Sequence, residues 1–352
     1  MTTMARSRES QRRRNVGRVA VWLGLVGLTF FVMTRFASPA ELARALARAH
    51  PGWLVAAVLV HAAYFVVYAA MYQVGFRAVG VESRMSELLP VYFASTLANA
   101  LAPAGGAAAA ALFVEDAAER GQSPARAAVG TLLVFVAELS TLLPFLAGSL
   151  SYLASAHRLD AWELAAAGMF TAFVALILGA SLWARGHVGH LERLLGIVAR
   201  VAHAVAARFH HGDWSSSAWA ERIARQLADA ATTARSRRHE MGELAGLGIV
   251  LHALNQLCLG TLFLAFAQPV SLGAVVAGRT MAVVVFVVGV VPQGLAVVEG
   301  AMAYVLTSLG LPGGKVAAAV LAFRGLSYWL PLVLGVVFLR RLRLLRRALG
   351  RT

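Results

Sequence analysis

The chain has 352 residues, 59% of them hydrophobic, and a formal net charge of +15 at neutral pH. A mean hydropathy of +0.69 excludes an ordinary soluble domain, whose apolar share is nearer half. The arginines cluster at the ends of apolar runs, where they read as orientation signals and not as a nucleic-acid footprint.

In chain order, residues 1–17 form a basic segment carrying Arg6, Arg8, Arg12, Arg13 and Arg14. The apolar run at 18–36 is followed by no small-x-small cleavage site and contains Arg35, so it is expected to stay as a first membrane helix. Runs at 52–74, 127–154, 161–184, 243–267 and 315–339 also approach the ~20 residues that cross a bilayer. Two further runs, 87–120 and 270–310, are cut by Pro103 in "ALAPAGG" and by Pro292 in "GVVPQGLAVVEG". The expected fold is an all-α polytopic membrane protein with about six full spans and two Pro/Gly-broken re-entrant helical hairpins. The single cysteine, Cys258, allows no intramolecular disulfide.

With the basic N-terminus in the cytoplasm and each broken run returning to its own side, the stretch 185–242 falls in the cytoplasm. So does the tail at 342–352, with Arg343, Arg346, Arg347 and Arg351. This parity is the same for re-entrant hairpins and for pairs of full spans, so charge does not separate them. The first broken run then opens from the cytoplasm and the second from outside, as in an inverted repeat. Setting Pro103 against Pro292 sets Gly105 against Gly294, Gly121 against Gly310 and Arg126 against Lys315 without a gap. A two-residue slip pairs Pro144 with Pro331 and Gly148 with Gly335. The repeats are expected at about 52–154 and 243–339, within a membrane domain at 18–341. Coincidence among helix breakers is the alternative.

Broken backbone at membrane depth leaves N–H and C=O groups unpaired, and it persists where protein or a watery cavity surrounds it. The helix halves that start after Gly106 and Gly294 present N-termini suited to an anionic group. The other reading, that Pro and Gly only kink two ordinary spans, stays open. Glu138 and Arg324 lie near the middle of the helices after the two breaks, where a lone charge costs about 2.5 to 3.5 kcal/mol. They are expected to pair or to line one cavity. Glu299 falls in the first turns of a half-helix as a dipole partner, and Arg279 is placed near the outer interface. Glu115 and Asp116 read as solvated helix-end charges, and Asn99, Asn255, His61 and His252 as interhelical hydrogen-bond residues.

Residues 186–242 form a cytoplasmic linker in which Val188, Leu191, Leu195, Val198, Ala202 and Val205 recur at helical spacing, as in a helix lying on the membrane surface. Its histidines, His187, His190, His203, His210 and His211, lack a supporting cysteine or carboxylate pattern. No metal and no cofactor is therefore expected.

The segments "NALAPAGG", "VPQGLAVVEGAM" and "AFRGLSYWLPLVLG" resemble the motifs of the lysylphosphatidylglycerol synthase transmembrane region, a flippase-like family. The resemblance covers roughly residues 18–341. It implies a membrane region that moves a lipid between leaflets; because the chain ends at Thr352, no aminoacyl-transferring domain is expected. Three positions depart from the family pattern. Ala107 stands where a third glycine is usual, Leu139 where an arginine often follows the glutamate, and Gln293-Gly294-Leu295-Ala296 where the family tends to Gly-Gly-Leu-Gly.

The expected function is translocation of a phospholipid or lipid-linked substrate across the cytoplasmic membrane, with both termini cytoplasmic. The expected partners are membrane lipids, chiefly anionic headgroups, and a protein partner or homo-oligomer is compatible with the sequence. The substrate-binding residues are expected to be Asn99, Pro103, Gly105, Gly106, Glu138, Arg279, Pro292, Gly294, Glu299, Arg324 and Tyr328. An ion-coupled solute transporter and a non-transporting accessory protein of envelope assembly are the alternatives. No nucleophile–base pair or phosphate-cradling loop points to an enzyme, so no catalytic residue is assigned. The abundance of Ala and Arg beside the single Lys315 resembles a high-GC bacterial composition.

Overall fold

The computed structural model describes residues 38–101, 107–186, 237–289, 294 and 296–338. Among them every regular element is helical: α1 (Pro39–Ala47), α2 (Pro51–Ala78), α3 (Met85–Leu101), α4 (Ala107–Glu119), α5 (Pro124–Ser155), α6 (Ala161–Gly186), α7 (Arg238–Ala265), α8 (Leu272–Val288), α9 (Val297–Ser308) and α10 (Gly313–Arg324). A π-helical turn, Gly325–Trp329, carries α10 on to Phe338. Five helices are long and apolar enough to cross a membrane: Pro51–Ala78, Pro124–Ser155, Ala161–Gly179, Arg238–Ala265 and Gly313–Phe338. They coincide with five of the six expected spans; the sixth, at 18–36, lies outside the described residues, as do nearly all of the linker and the C-terminal tail.

The two halves of the chain repeat one order of elements. α2 and α7 have 28 residues each and α3 and α8 have 17 each. The arms after the breaks, α4 and α9, have 13 and 12. At 1.5 Å per residue those arms reach about 20 Å, short of the ~30 Å hydrocarbon layer. Gly121 and Gly310, aligned from sequence alone, do the same job: both adopt positive φ, +77° and +88°, and end an arm. Each end is closed by Schellman-type bonds, Gln122 N–H to Ala117 O and Leu311 N–H to Leu306 O.

Local signals fix the helix starts. Ser38 caps α1 in a reciprocal capping box with Glu41, and Pro39 follows it. The Ser271 hydroxyl accepts from Ala274 N–H at the start of α8, and Glu163 reaches back to Asp160 N–H at the start of α6.

The chain folds as two compact units. The first takes the described residues of Met1–Val58, with Leu146–Ala167 and Gln256–Gly325; the second takes the described residues of Leu59–Phe145, Gly168–Asn255 and Leu326–Thr352. The first unit is organised around the α8–α9 hairpin, where Gly278 faces Leu306 so closely that a Cβ would lie 2.7 Å from its Cγ. Met281, Ala282, Val284, Met302 and Val305 are fully buried in that hairpin, and Val316–Val320 of α10 are fully buried as well. The Lys315 ammonium donates to Ala267 O at 2.6 Å, placing a cation at the C-terminal end of α7.

The second unit is organised around the α3–α4 hairpin and an aromatic core that includes Phe65, Phe76, Tyr92, Phe93 and Phe113. α2 and α5 touch at two glycines: a Cβ on Gly75 would meet Gly130 O at 2.9 Å, and one on Gly130 would meet Phe76 Cδ1 at 2.7 Å. At the open end of the hairpin Arg120 binds Glu87 of α3 at 2.6 Å and Asp116 of α4 at 2.5 Å. Asp116, expected as a solvated helix-end charge, is instead half-buried in this clamp.

Candidate functional site

Each unit carries its own polar constellation. In the first, the break after α8 is built from left-handed backbone. Gly294 has φ +59°, and an added Cβ would press 2.6 Å from both Phe286 and Val298, so only glycine fits. Ala296, the N-cap residue of α9, has φ +68° and makes no side-chain cap bond. This is the position where the family motif tends to glycine; here a methyl group is carried through a conformation that costs an L-residue roughly 1–2 kcal/mol.

Glu299 follows in the first turn of α9, as expected for a dipole partner, and is 1% exposed. Its Oε1 accepts from Arg324 Nε at 2.6 Å, whereas Oε2 is buried with no hydrogen-bond partner among the described residues. Arg324, at the end of α10, is thereby paired with Glu299; the sequence led to the expectation that it pairs with Glu138 or lines one cavity with it. Arg324 and Glu299 lie 25 residues apart on successive helices, a distance that periodicity within one helix does not register. Arg279 of α8 is half-buried and places its guanidinium 5.2 Å from the Phe323 ring centroid, a cation–π contact.

In the second unit Glu138 accepts a hydrogen bond at Oε2 from the Tyr68 hydroxyl at 2.9 Å. Its backbone carbonyl lies 2.9 Å from His252 Nε2, which confirms the interhelical role expected of His252. Thr141 hydroxyl bonds to the Ala137 and Glu138 carbonyls brace the same turn, with Gly248 packed against Thr141. Asn99 is half-buried in the last turn of α3, and Tyr328 is 6% exposed within the π turn, edge-on to Trp329. Pro103, Gly105, Gly106 and Pro292 lie outside the described residues.

The sequence reading missed the tyrosines. Tyr64, Tyr68 and Tyr72 follow one another along α2, and Tyr92 of α3 closes on Tyr68 with ring centroids 4.8 Å apart. The signal was present as a four-residue spacing, which puts all three side chains on one helix face. Against a background already rich in apolar residues, that stripe read as ordinary core.

The described residues hold no group of three or more His, Cys, Asp or Glu side chains able to bind a metal. The family model described as lysylphosphatidylglycerol synthase TM region matches residues 16–335. No curated protein matches the chain.

Proposed function

The chain belongs to the lysylphosphatidylglycerol synthase TM region family, and from that membership we propose that it translocates a phospholipid or lipid-linked substrate across the cytoplasmic membrane. The observation that carries this reading is the recurrence of a short-armed broken hairpin at the same place in each half, α3–α4 and α8–α9. Broken helices of this kind, in repeats of opposite orientation, serve transporters as binding elements that open in turn to the two sides. The basic termini and linker then lie in the cytoplasm, the first hairpin opens inward and the second outward.

On this reading the headgroup meets Glu138 and its neighbours from the cytoplasmic side. From the outer side it meets Arg279 and the Glu299–Arg324 pair. The test is mass spectrometry of lipids retained by the full chain in mild detergent, wild type beside Arg324→Ala, followed by a liposome assay with the retained lipid. A minor lipid enriched on the wild type, lost from the variant and exposed faster in proteoliposomes than in empty vesicles is the expected result. Bulk lipid in bulk proportions on both proteins, with no acceleration, would overturn the proposal and favour solute transport or an accessory role.

A further inference from the structure

Glu299 stands three residues after the Ala296 N-cap, the place from which a glutamate commonly reaches back to cap its own helix. Its carboxylate is turned to another use. Oε1 accepts from Arg324 of α10 at 2.6 Å, and Oε2 is buried without a donor among the described residues. Glu299 is 1% exposed and Arg324 11%, so the guanidinium is the member of the pair that a ligand reaches. The π-helical turn, a widening of the backbone frequent at functional sites, begins at the residue after Arg324.

Apart from Glu299 itself, the charged side chains on the helices around it are cations. α9 packs against α8 and α10. α8 carries Arg279, α10 carries Lys315 and Arg324, and α9 adds the phenol of Tyr304. Lys315 is engaged at Ala267 O and Arg279 lies over Phe323. Tyr304 donates to Asp160 at 2.9 Å toward the other end of α9, where Asp160 and Glu163 begin α6. The break at 289–296 contains no titratable residue. Glu299 is thus the single acid on these three helices, and Arg324 is the cation bonded to it.

A guanidinium binds phosphate as readily as carboxylate, through the same planar fork of donors. When an anion draws Arg324 to itself, Glu299 is left charged and enclosed. A buried carboxylate without its counter-ion neutralises by taking a proton. Oε2 can receive that proton without losing an existing bond. The two events are linked: the anion takes the N–H donors of Arg324, and a proton from water cancels the carboxylate charge.

We infer that Glu299 is a proton-binding site coupled to a phosphate site at Arg324, so that an anionic headgroup and a proton bind together. The inference rests on the reading that the chain handles a membrane lipid, and it adds the proton as a co-substrate.

The experiment uses the full chain in mild detergent, with empty micelles as the blank. Its two probes are phosphodiesters, which do not titrate near neutral pH: dihexanoylphosphatidylglycerol below its micelle concentration, and glycerophosphoglycerol, the same headgroup without acyl chains. Calorimetry at one pH in two buffers of unequal ionisation enthalpy counts the protons taken up per ligand bound. The wild type is expected to take up about one proton, and its affinity to fall about tenfold for each unit rise in pH, because the complex holds one more proton than the free protein. Glu299→Gln is expected to take up none and to bind alike at each pH. Binding of the lipid alone, or of both probes, tells a lipid headgroup from a free phosphodiester as the source. Binding by the wild type without proton uptake, or no binding of either probe, would overturn the inference, and neither result depends on the variant folding. Uptake that persists in folded Glu299→Gln would overturn it too. Transport of the lipid in proteoliposomes is scored separately, so binding with proton uptake but without movement counts against the translocase reading alone.

Discussion

Arg324 donates its Nε–H to Glu299 at 2.6 Å, and the bond joins the first turn of α9 to the last residue of α10. The side chains are 11% and 1% exposed, so the pair is a buried one. Removing one member of such a pair leaves the other's charge buried without its counter-ion. Arg324→Ala is therefore expected to lower the unfolding free energy by about 3–5 kcal/mol in mixed micelles, and Glu299→Leu/Arg324→Met to recover most of that loss. A single variant as stable as the wild type would show that the pair does not hold the fold.

Backbone strain at the second break gives a prediction of opposite sign. Ala296→Gly removes the left-handed penalty of roughly 1–2 kcal/mol but adds about 0.4–1 kcal/mol of unfolded-chain entropy, for a net gain of up to about 1.6 kcal/mol. Gly294→Ala, by contrast, places a methyl group 2.6 Å from Phe286 and Val298 at φ +59° and is expected to destabilise. Thermal unfolding in one detergent, with the three proteins side by side, checks both.

The glycine contact between α2 and α5 sets how closely those helices approach in the second unit. Gly75→Ala brings a carbon to 2.7 Å from Val134 Cγ2 and 2.9 Å from Gly130 O. Backbone yields less readily than a flexible side chain, so a loss of about 1–3 kcal/mol is expected. Gly121→Asn leaves the contact untouched and serves as the control, because nothing lies within 4 Å of that position and Asn tolerates its conformation.

Acid weakens the start of α1. The Ser38 backbone N–H donates to Glu41 at 2.8 Å and its hydroxyl at 3.0 Å; these bonds hold the carboxyl below its ordinary value of 4.5, with a smaller contribution from Arg44. A depressed carboxyl stabilises the folded form fully above its unfolded value, and that contribution disappears as pH falls through the lower folded value. Protection of the α1 amides against hydrogen exchange, normalised to an unstructured peptide at each pH, should therefore fall as the pH is lowered below the carboxyl's ordinary value of 4.5. Glu41→Gln, which does not titrate at that position, should show protection in α1 that does not change over the same range.

Much of this was written in the chain itself. Apolar runs near the bilayer thickness determine where membrane helices form, because hydrocarbon accepts only backbone that is hydrogen-bonded within its own segment. That requirement is local, so five spans were legible in the sequence, as were Gly121 and Gly310 as the helix-ending glycines, both of which take positive φ. Partner choice among buried side chains is not local. Arg324 and Glu299 are 25 residues apart in sequence, and only the packing of α10 against α9 brings them together. The tyrosines were visible as letters, but their meeting with Glu138 joins residues 70 positions apart in sequence. Periodicity records which face of a helix turns inward; which other helix waits there is settled by tertiary packing.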